Sequence, residues 1–248
     1  MLHIFVDPAD MQGESLTIGG REAHHIRSVL RMKAGERLSA SAGENTGRRI
    51  YVIEEVGEES VVCRLEEVRE ADTELPVRVL LFQGLPKGDK METIVQKSVE
   101  LGVSEIIPVA MKRSVMRLDP ARGRRKTARW QTIAESAASQ SRRLIVPRVS
   151  EPVSWREALK RAGEEADLCL VPYELQERDA STRSLVESIR PGQCVAVFIG
   201  PEGGFEEEEI REARAAGMHP ISLGSRILRT ETAGPAFLAW LIYRFEIA

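Results

Sequence analysis

The sequence predicts an α/β protein in two parts, a small and mostly β unit followed by a larger domain built on a parallel sheet. Three observations carry this reading. Residues 1–70 contain short segments in which apolar and polar residues partly alternate, divided by glycine turns. From residue 77 onward, short apolar segments alternate with longer helical patterns, the rhythm of βαβ units. Between them, Arg69–Pro76 is polar and closes on a proline, which marks a boundary. The expected division is 1–70, a linker at 71–76, and 77–248.

In the first part, Leu2–Val6 is a short apolar strand. Gly19–Met32 has the helical period, with Ala23, Ile26, Val29 and Leu30 on one face before Gly35. Arg37–Ser41, Arg49–Val56 and Ser60–Val68 follow as strands with turns at Gly43, Gly47 and Gly57. A small β-barrel with one helix accounts for this order.

In the second part, strands are expected at Val77–Gln83, Glu105–Val109, Asp167–Val171, Val195–Ile199 and Pro220–Leu223. Helices are expected near Asp89–Leu101, Arg124–Arg143, Ser154–Ala162, Thr182–Ile189, Glu206–Ala216 and Thr230–Phe245. In such a sheet, ligands are expected at the C-terminal ends of the strands.

Composition excludes several classes. The three cysteines, Cys63, Cys169 and Cys194, show no metal-ligand or redox spacing, and the four histidines form no cluster with them. No metal site is expected, and the cysteine usage fits a reducing cytoplasm. The N-terminus lacks the pattern of a signal peptide, and the longest apolar run, Ala233–Tyr243, is too short to span a bilayer. The net charge of −3 hides an asymmetry. Residues 1–70 hold 9 basic and 13 acidic side chains, whereas residues 111–148 hold 11 basic side chains against only Asp119 and Glu135. So one-sided a segment is expected to meet an anionic partner, and Arg122, Arg125, Lys126 and Arg129 recur at helical spacing around Trp130. The plainer reading is a solvated helix face with Trp130 as a core anchor.

Two further segments carry chemistry. VAVFIGPEGGF (Val195–Phe205) runs from an apolar strand into a glycine-rich loop and on to four carboxylates, Glu206–Glu209, at the start of a helix. Those carboxylates complement the helix dipole and disfavour a phosphate there, and the loop is neither a dinucleotide fingerprint nor a P-loop. LGSRILRTETA (Leu223–Ala233) places Arg226 and Arg229 in a loop before Thr230, a good N-cap for the last helix. Either segment could also be a plain turn or cap.

With LPKGDKMETIVQKSVELGVSEIIPV (Leu85–Val109), RSVMR (Arg113–Arg117) and RWQTIAESAASQSRR (Arg129–Arg143), these two segments resemble the RsmE family, 16S rRNA (uridine-N3) methyltransferases of the SPOUT superfamily. HHIRSVLRMKAGERL (His24–Leu38) is similar to the family's PUA-like barrel segment, so the resemblance covers essentially the whole chain. It departs from the family pattern at Ser139 and at His3. The resemblance implies an α/β fold in which a SPOUT-type, trefoil-knotted parallel-sheet domain follows a PUA-like β-barrel RNA-binding domain. It also implies a homodimer that uses S-adenosyl-L-methionine and acts on 16S rRNA in the assembled small ribosomal subunit.

Carried over by position, the implied methyl-donor contacts are Leu170, Val171 and Pro172; Ile199, Gly200, Pro201, Glu202 and Gly203; and Leu223, Gly224, Ile227, Leu228 and Arg229. The RNA-facing residues expected from the basic segment and the arginine-bearing loop are Arg113, Arg117, Arg122, Arg124, Arg125, Lys126, Arg129, Arg142, Arg143 and Arg226. Methyl transfer to N3 of uracil requires loss of the imide proton and stabilisation of charge on O2 and O4. Arg229 and Arg117 are the candidate charge stabilisers, with Glu231 or Glu202 as the base. Two other readings stay open: a donor-dependent enzyme with another target, such as the ribose 2′-O, and a non-catalytic RNA-binding assembly factor.

Overall fold

The computed structural model describes residues 1–43, 47–69, 73–116, 119–176 and 180–247. The chain forms two compact units, Met1–Glu74 with Ala138–Val146, and Leu75–Ala137 with Pro147–Ala248. The segment Ala138–Val146 therefore belongs with the first unit, although its sequence continues a helix of the second. Local periodicity reports the helix but not which core its end joins.

The first unit contains β1 (Leu2–Phe5), β2 (Met11–Gln12), β3 (Ser15–Gly19), α1 (Gly20–His24) with a π-helical turn at His25–Val29, β4 (Arg37–Ser41), β5 (Arg48–Val56) and β6 (Ser60–Arg69). The strands form one sheet in the order β1-β4-β5-β6-β3-β2, with β1 parallel to β4 and the other pairs antiparallel. Strand β3 alternates exposed and buried residues, the pattern of a half-buried strand. The expected helix from Gly19 therefore starts one residue later, because Gly19 closes β3. Two register shifts in the β5–β6 pair, at Ile50/Tyr51 and Ile53/Glu55, mark bulges, which bend a sheet around its core. Leu16, Ile26, Leu38, Tyr51 and Val61 fill that core, each fully buried.

The second unit comprises β7 (Arg78–Gly84), α2 (Lys90–Glu100), β8 (Glu105–Ala110), α3 (Pro120–Gln140, whose last turn lies in the first unit), β9 (Arg148–Val149), β10 (Val153–Ser154), α4 (Trp155–Glu165), β11 (Leu168–Pro172), α5 (Ala180–Ser188), β12 (Cys194–Ile199), α6 (Glu207–Ala215), β13 (His219–Ile221) and α7 (Thr230–Ile242). The sheet order is β10-β8-β7-β12-β11-β13, with β9 also on β8, and every pairing is parallel. Every residue of β12 is buried, as expected for a parallel strand covered by helices on both faces. Phe82 of β7 stacks on Phe198 of β12 at a centroid distance of 4.4 Å, and Trp155 meets Phe198 edge-on at 5.6 Å. From β13 at the sheet edge the chain returns to α7, which packs on α2 and β12. Among the described residues, no helix is long and apolar enough to cross a membrane.

Candidate functional site

The C-terminal ends of β11 and β12 and the loop before α7 enclose a cleft of about 360 Å³. It is lined by Ile199–Phe205, by Pro172 and Glu174, by Ile227–Thr230 with Ala233, and by Lys90. The glycine-rich loop sits here because its neighbours yield space to it. A Cβ on Gly84, at the end of β7, would lie 2.7 Å from Pro201 N and 2.9 Å from Met111 Sδ. Gly204 has φ +69°, which an L side chain rarely adopts, and a Cβ there would lie 2.9 Å from Glu174 Oε1.

A buried hydrogen-bond chain joins three segments beneath the cleft. Gln83 Nε2 donates to Thr230 Oγ1 at 2.9 Å, and Thr230 Oγ1 donates to the Gly200 carbonyl at 2.7 Å. Gln83 Oε1 is buried without a hydrogen-bond partner among the described residues. This corrects the N-cap expected of Thr230: Arg229 occupies the N-cap position with no side-chain cap, and Thr230 opens the helix with its hydroxyl engaged elsewhere.

Charge at the cleft centres on Lys90. Its Nζ lies 2.8 Å from Glu202 Oε1 and 3.6 Å from Glu231 Oε2, while Glu202 also accepts from the Lys87 N–H at 3.1 Å. Burial pushes the Glu202 carboxyl up, but the hydrogen bonds from Lys90 and from backbone N–H groups prevail and hold it below the usual carboxylate range. Lys90 is held above the ordinary lysine value, first by its hydrogen bond to Glu202. Glu231 Oε2 is buried and accepts no hydrogen bond among the described residues, whereas Arg229 is exposed.

The structure brings nine of the thirteen expected donor contacts to the cleft: Pro172, the five residues Ile199–Gly203, and Ile227, Leu228 and Arg229. Leu170 and Val171 do not line it; they are fully buried in the sheet. Leu223 and Gly224 also lie off its walls. Lys90, Glu174, Gly204, Phe205, Thr230 and Ala233 line it without having been expected. One sequence signal pointed to Lys90: a lysine at the first position of α2 opposes the helix dipole and so needs acidic partners.

The basic segment divides. Arg122, Arg124, Arg125 and Arg129 are exposed, with Lys126 half-buried. Arg129 pairs with Glu92 at 2.8 Å, Lys126 with Asp89 at 3.7 Å and Arg122 with Asp119 at 3.4 Å, while Arg124 and Arg125 make no ion pair among the described residues. Arg113 turns to the glycine loop, bonding Glu206 at 2.9 Å and the Gly203 carbonyl at 2.8 Å. Arg143 corrects the expectation of an RNA-facing side chain: it is 3% exposed and ion-paired with Glu74. Trp130 is 1% exposed and so is a core residue. Arg226 is exposed in the loop before α7, Arg142 is exposed at the end of α3, and Arg117 lies outside the described residues.

A family profile described as an RNA methyltransferase domain matches residues 73–242, and one described as an RNA methyltransferase PUA domain matches residues 18–66. The chain is 35% identical to ribosomal RNA small subunit methyltransferase E of Bacillus subtilis, covering 100% of this chain and 98% of that protein. It is 30% identical to the protein of the same name from Mycobacterium tuberculosis, covering 94% and 88%. The crystal structure of a ribosomal RNA small subunit methyltransferase E from Neisseria gonorrhoeae, bound to S-adenosyl methionine, superimposes with a TM-score of 0.85 at 29% identity, covering 99% of this chain and 98% of that one.

Proposed function

The chain belongs to the ribosomal RNA small subunit methyltransferase E family and is an S-adenosylmethionine-dependent ribosomal RNA methyltransferase, and we propose that its target is N3 of a uridine in 16S rRNA. The observation that carries the site assignment is the cleft of about 360 Å³, which lies in the size range of small-molecule pockets and sits at the strand ends where such ligands bind. Its apolar walls, Ile227, Leu228 and Phe205, suit the faces of an adenine, and its loop backbone suits the ring edges. When bound there, S-adenosylmethionine supplies an electrophilic methyl group.

The chain's own residues supply the rest. Glu231 accepts the N3 proton: its Oε2 accepts no hydrogen bond among the described residues and is held only by the longer, 3.6 Å ion pair to Lys90. Glu202 suits that role less well, since Lys90 and the Lys87 N–H already engage its carboxylate. The exposed Arg229 stabilises the charge that develops on O2 and O4. Arg124, Arg125 and Arg226 hold RNA phosphates, with the target base presented outside its stack. The knot implied by the resemblance would lie where the chain returns from β13 to α7. The exposed apolar Leu175, Ile227 and Tyr243 suit a homodimer, and the substrate is the assembled small subunit in the cytoplasm.

Mass spectrometry of 16S rRNA from a deletion strain tests the target. Loss of one N3-methyluridine, restored by the wild-type gene but not by a Glu231→Gln gene, is expected. An intact N3-methyluridine with loss of a ribose methyl would assign the 2′-O target instead.

A further inference from the structure

We propose that Arg48 and Arg142, on the first unit, form a binding site for a backbone phosphate of the RNA; this deepens the ribosomal RNA reading above and rests on it. Helix α3 ends in a Schellman turn: Arg142 N–H bonds the Ser139 carbonyl at 3.1 Å and Arg143 N–H bonds the Ala138 carbonyl at 2.9 Å. The residue at the left-handed position of this turn, ordinarily glycine, is Arg142 with φ +60°. The fold thus keeps a long cationic side chain where its backbone favours none.

Arg48 is fastened to the same point. Its guanidinium donates to the Arg142 carbonyl at 2.7 Å, and its buried Nε has no hydrogen-bond partner among the described residues. Burial, then the Arg142 charge, hold Arg48 below the ordinary arginine value, so the two cations repel. Neither pairs with a carboxylate among the described residues; Glu74 is engaged by Arg143 and by the Leu144 N–H at 3.1 Å. His3 adds no acid to balance them. It bonds Ser39 through Nδ1 at 2.9 Å. Burial, Arg48 and Arg142 push its pKa down to about 4, so the ring is neutral at physiological pH.

An Arg48 guanidinium fastened to the backbone of the exposed Arg142, with neither arginine paired to a carboxylate among the described residues, matches a phosphate, which accepts planar, charge-assisted bonds from arginine.

The test is binding of unmethylated small ribosomal subunits across a salt series, with calorimetry of S-adenosylmethionine and thermal unfolding on the same preparations. Arg142→Gly removes the charge and relieves the left-handed backbone. It is expected to unfold no earlier than wild type, bind the donor equally, bind subunits about eightfold more weakly at 0.1 M salt, and lower the log–log salt slope by about 0.9, one phosphate contact. Arg142→Lys is expected to recover most of the affinity, and Arg48→Met combined with Arg142→Gly to lower the slope by about two contacts. Wild-type subunit affinity and slope in Arg142→Gly would overturn the proposal, and an earlier unfolding temperature alongside them would assign Arg142 to capping α3. Wild-type protein that neither binds nor methylates subunits would overturn the ribosomal reading, and the phosphate site with it.

Discussion

Thr230 Oγ1 donates a 2.7 Å hydrogen bond to the carbonyl of Gly200, a residue thirty positions earlier in the chain. The bond ties the start of α7 to the end of β12, so the two loops that wall the cleft share one buried fastening, completed by Gln83 from β7. Thr230→Val keeps the shape and removes the hydroxyl, leaving the Gly200 carbonyl and the Gln83 amide short of a partner. It is expected to destabilise the protein by about 1–3 kcal/mol and to weaken donor binding, with Thr230→Ser restoring both. Urea unfolding and donor calorimetry measure the two effects; wild-type donor affinity in Thr230→Val would separate this bond from the site.

Arg113 braces the glycine loop through Glu206 and the Gly203 carbonyl, and a Cβ on Gly203 would lie 3.0 Å from Arg113 Cβ. Gly203→Val is therefore expected to push the loop and Arg113 apart and weaken donor binding at least tenfold, about 1.4 kcal/mol. Arg113→Ala is expected to weaken it less, because the loop backbone stays unobstructed. Unchanged donor affinity in both variants would remove this loop from the site.

Arg143 and Arg124 lie in one basic segment but are expected to fail in opposite ways. Arg143→Met leaves Glu74 without its ion-pair partner in a largely buried position, at a cost of about 3–5 kcal/mol in stability. Changing the exposed Arg124 and Arg125 together to Ala is expected to shift stability by less than about 0.5 kcal/mol while weakening RNA binding and flattening its salt dependence. Chemical denaturation and RNA titration separate the cases; a stable Arg143→Met protein with weakened RNA binding would return Arg143 to the RNA face.

His3 gives the first unit an acid-sensitive limb. Burial and the charge of Arg48 lower its pKa from the ordinary 6.5 to about 4, so between these values the unfolded chain binds more protons than the folded one. The stability that the neutral ring contributes is complete above about pH 6.5 and is lost as pH falls towards 4. The drop in urea midpoint from pH 7 to pH 5 is expected to be smaller in His3→Asn than in wild type. An equal drop in the two proteins would rule out His3 as its source.

The sequence by itself determined the two-part organisation, the alternation of strands and helices in the second unit, and the loops that wall the cleft. These are legible because burial against a sheet imposes a period on neighbouring residues, and because loops such as Ile199–Gly204 and Ile227–Thr230 follow directly from the elements that position them. Tertiary structure alone decided the partners. The basic run reads as one feature, yet folding pairs Arg143 with Glu74, Arg113 with Glu206 and Arg129 with Glu92, and leaves Arg124, Arg125 and Arg142 without ion pairs among the described residues. Lys90 joins the cleft only because α2 begins beside Glu202 and Glu231. The physical reason is common to all of these: periodicity is written by neighbours three or four residues apart, whereas charge is neutralised by whatever carboxylate the fold brings within about 4 Å, and that distance in space has no counterpart along the chain.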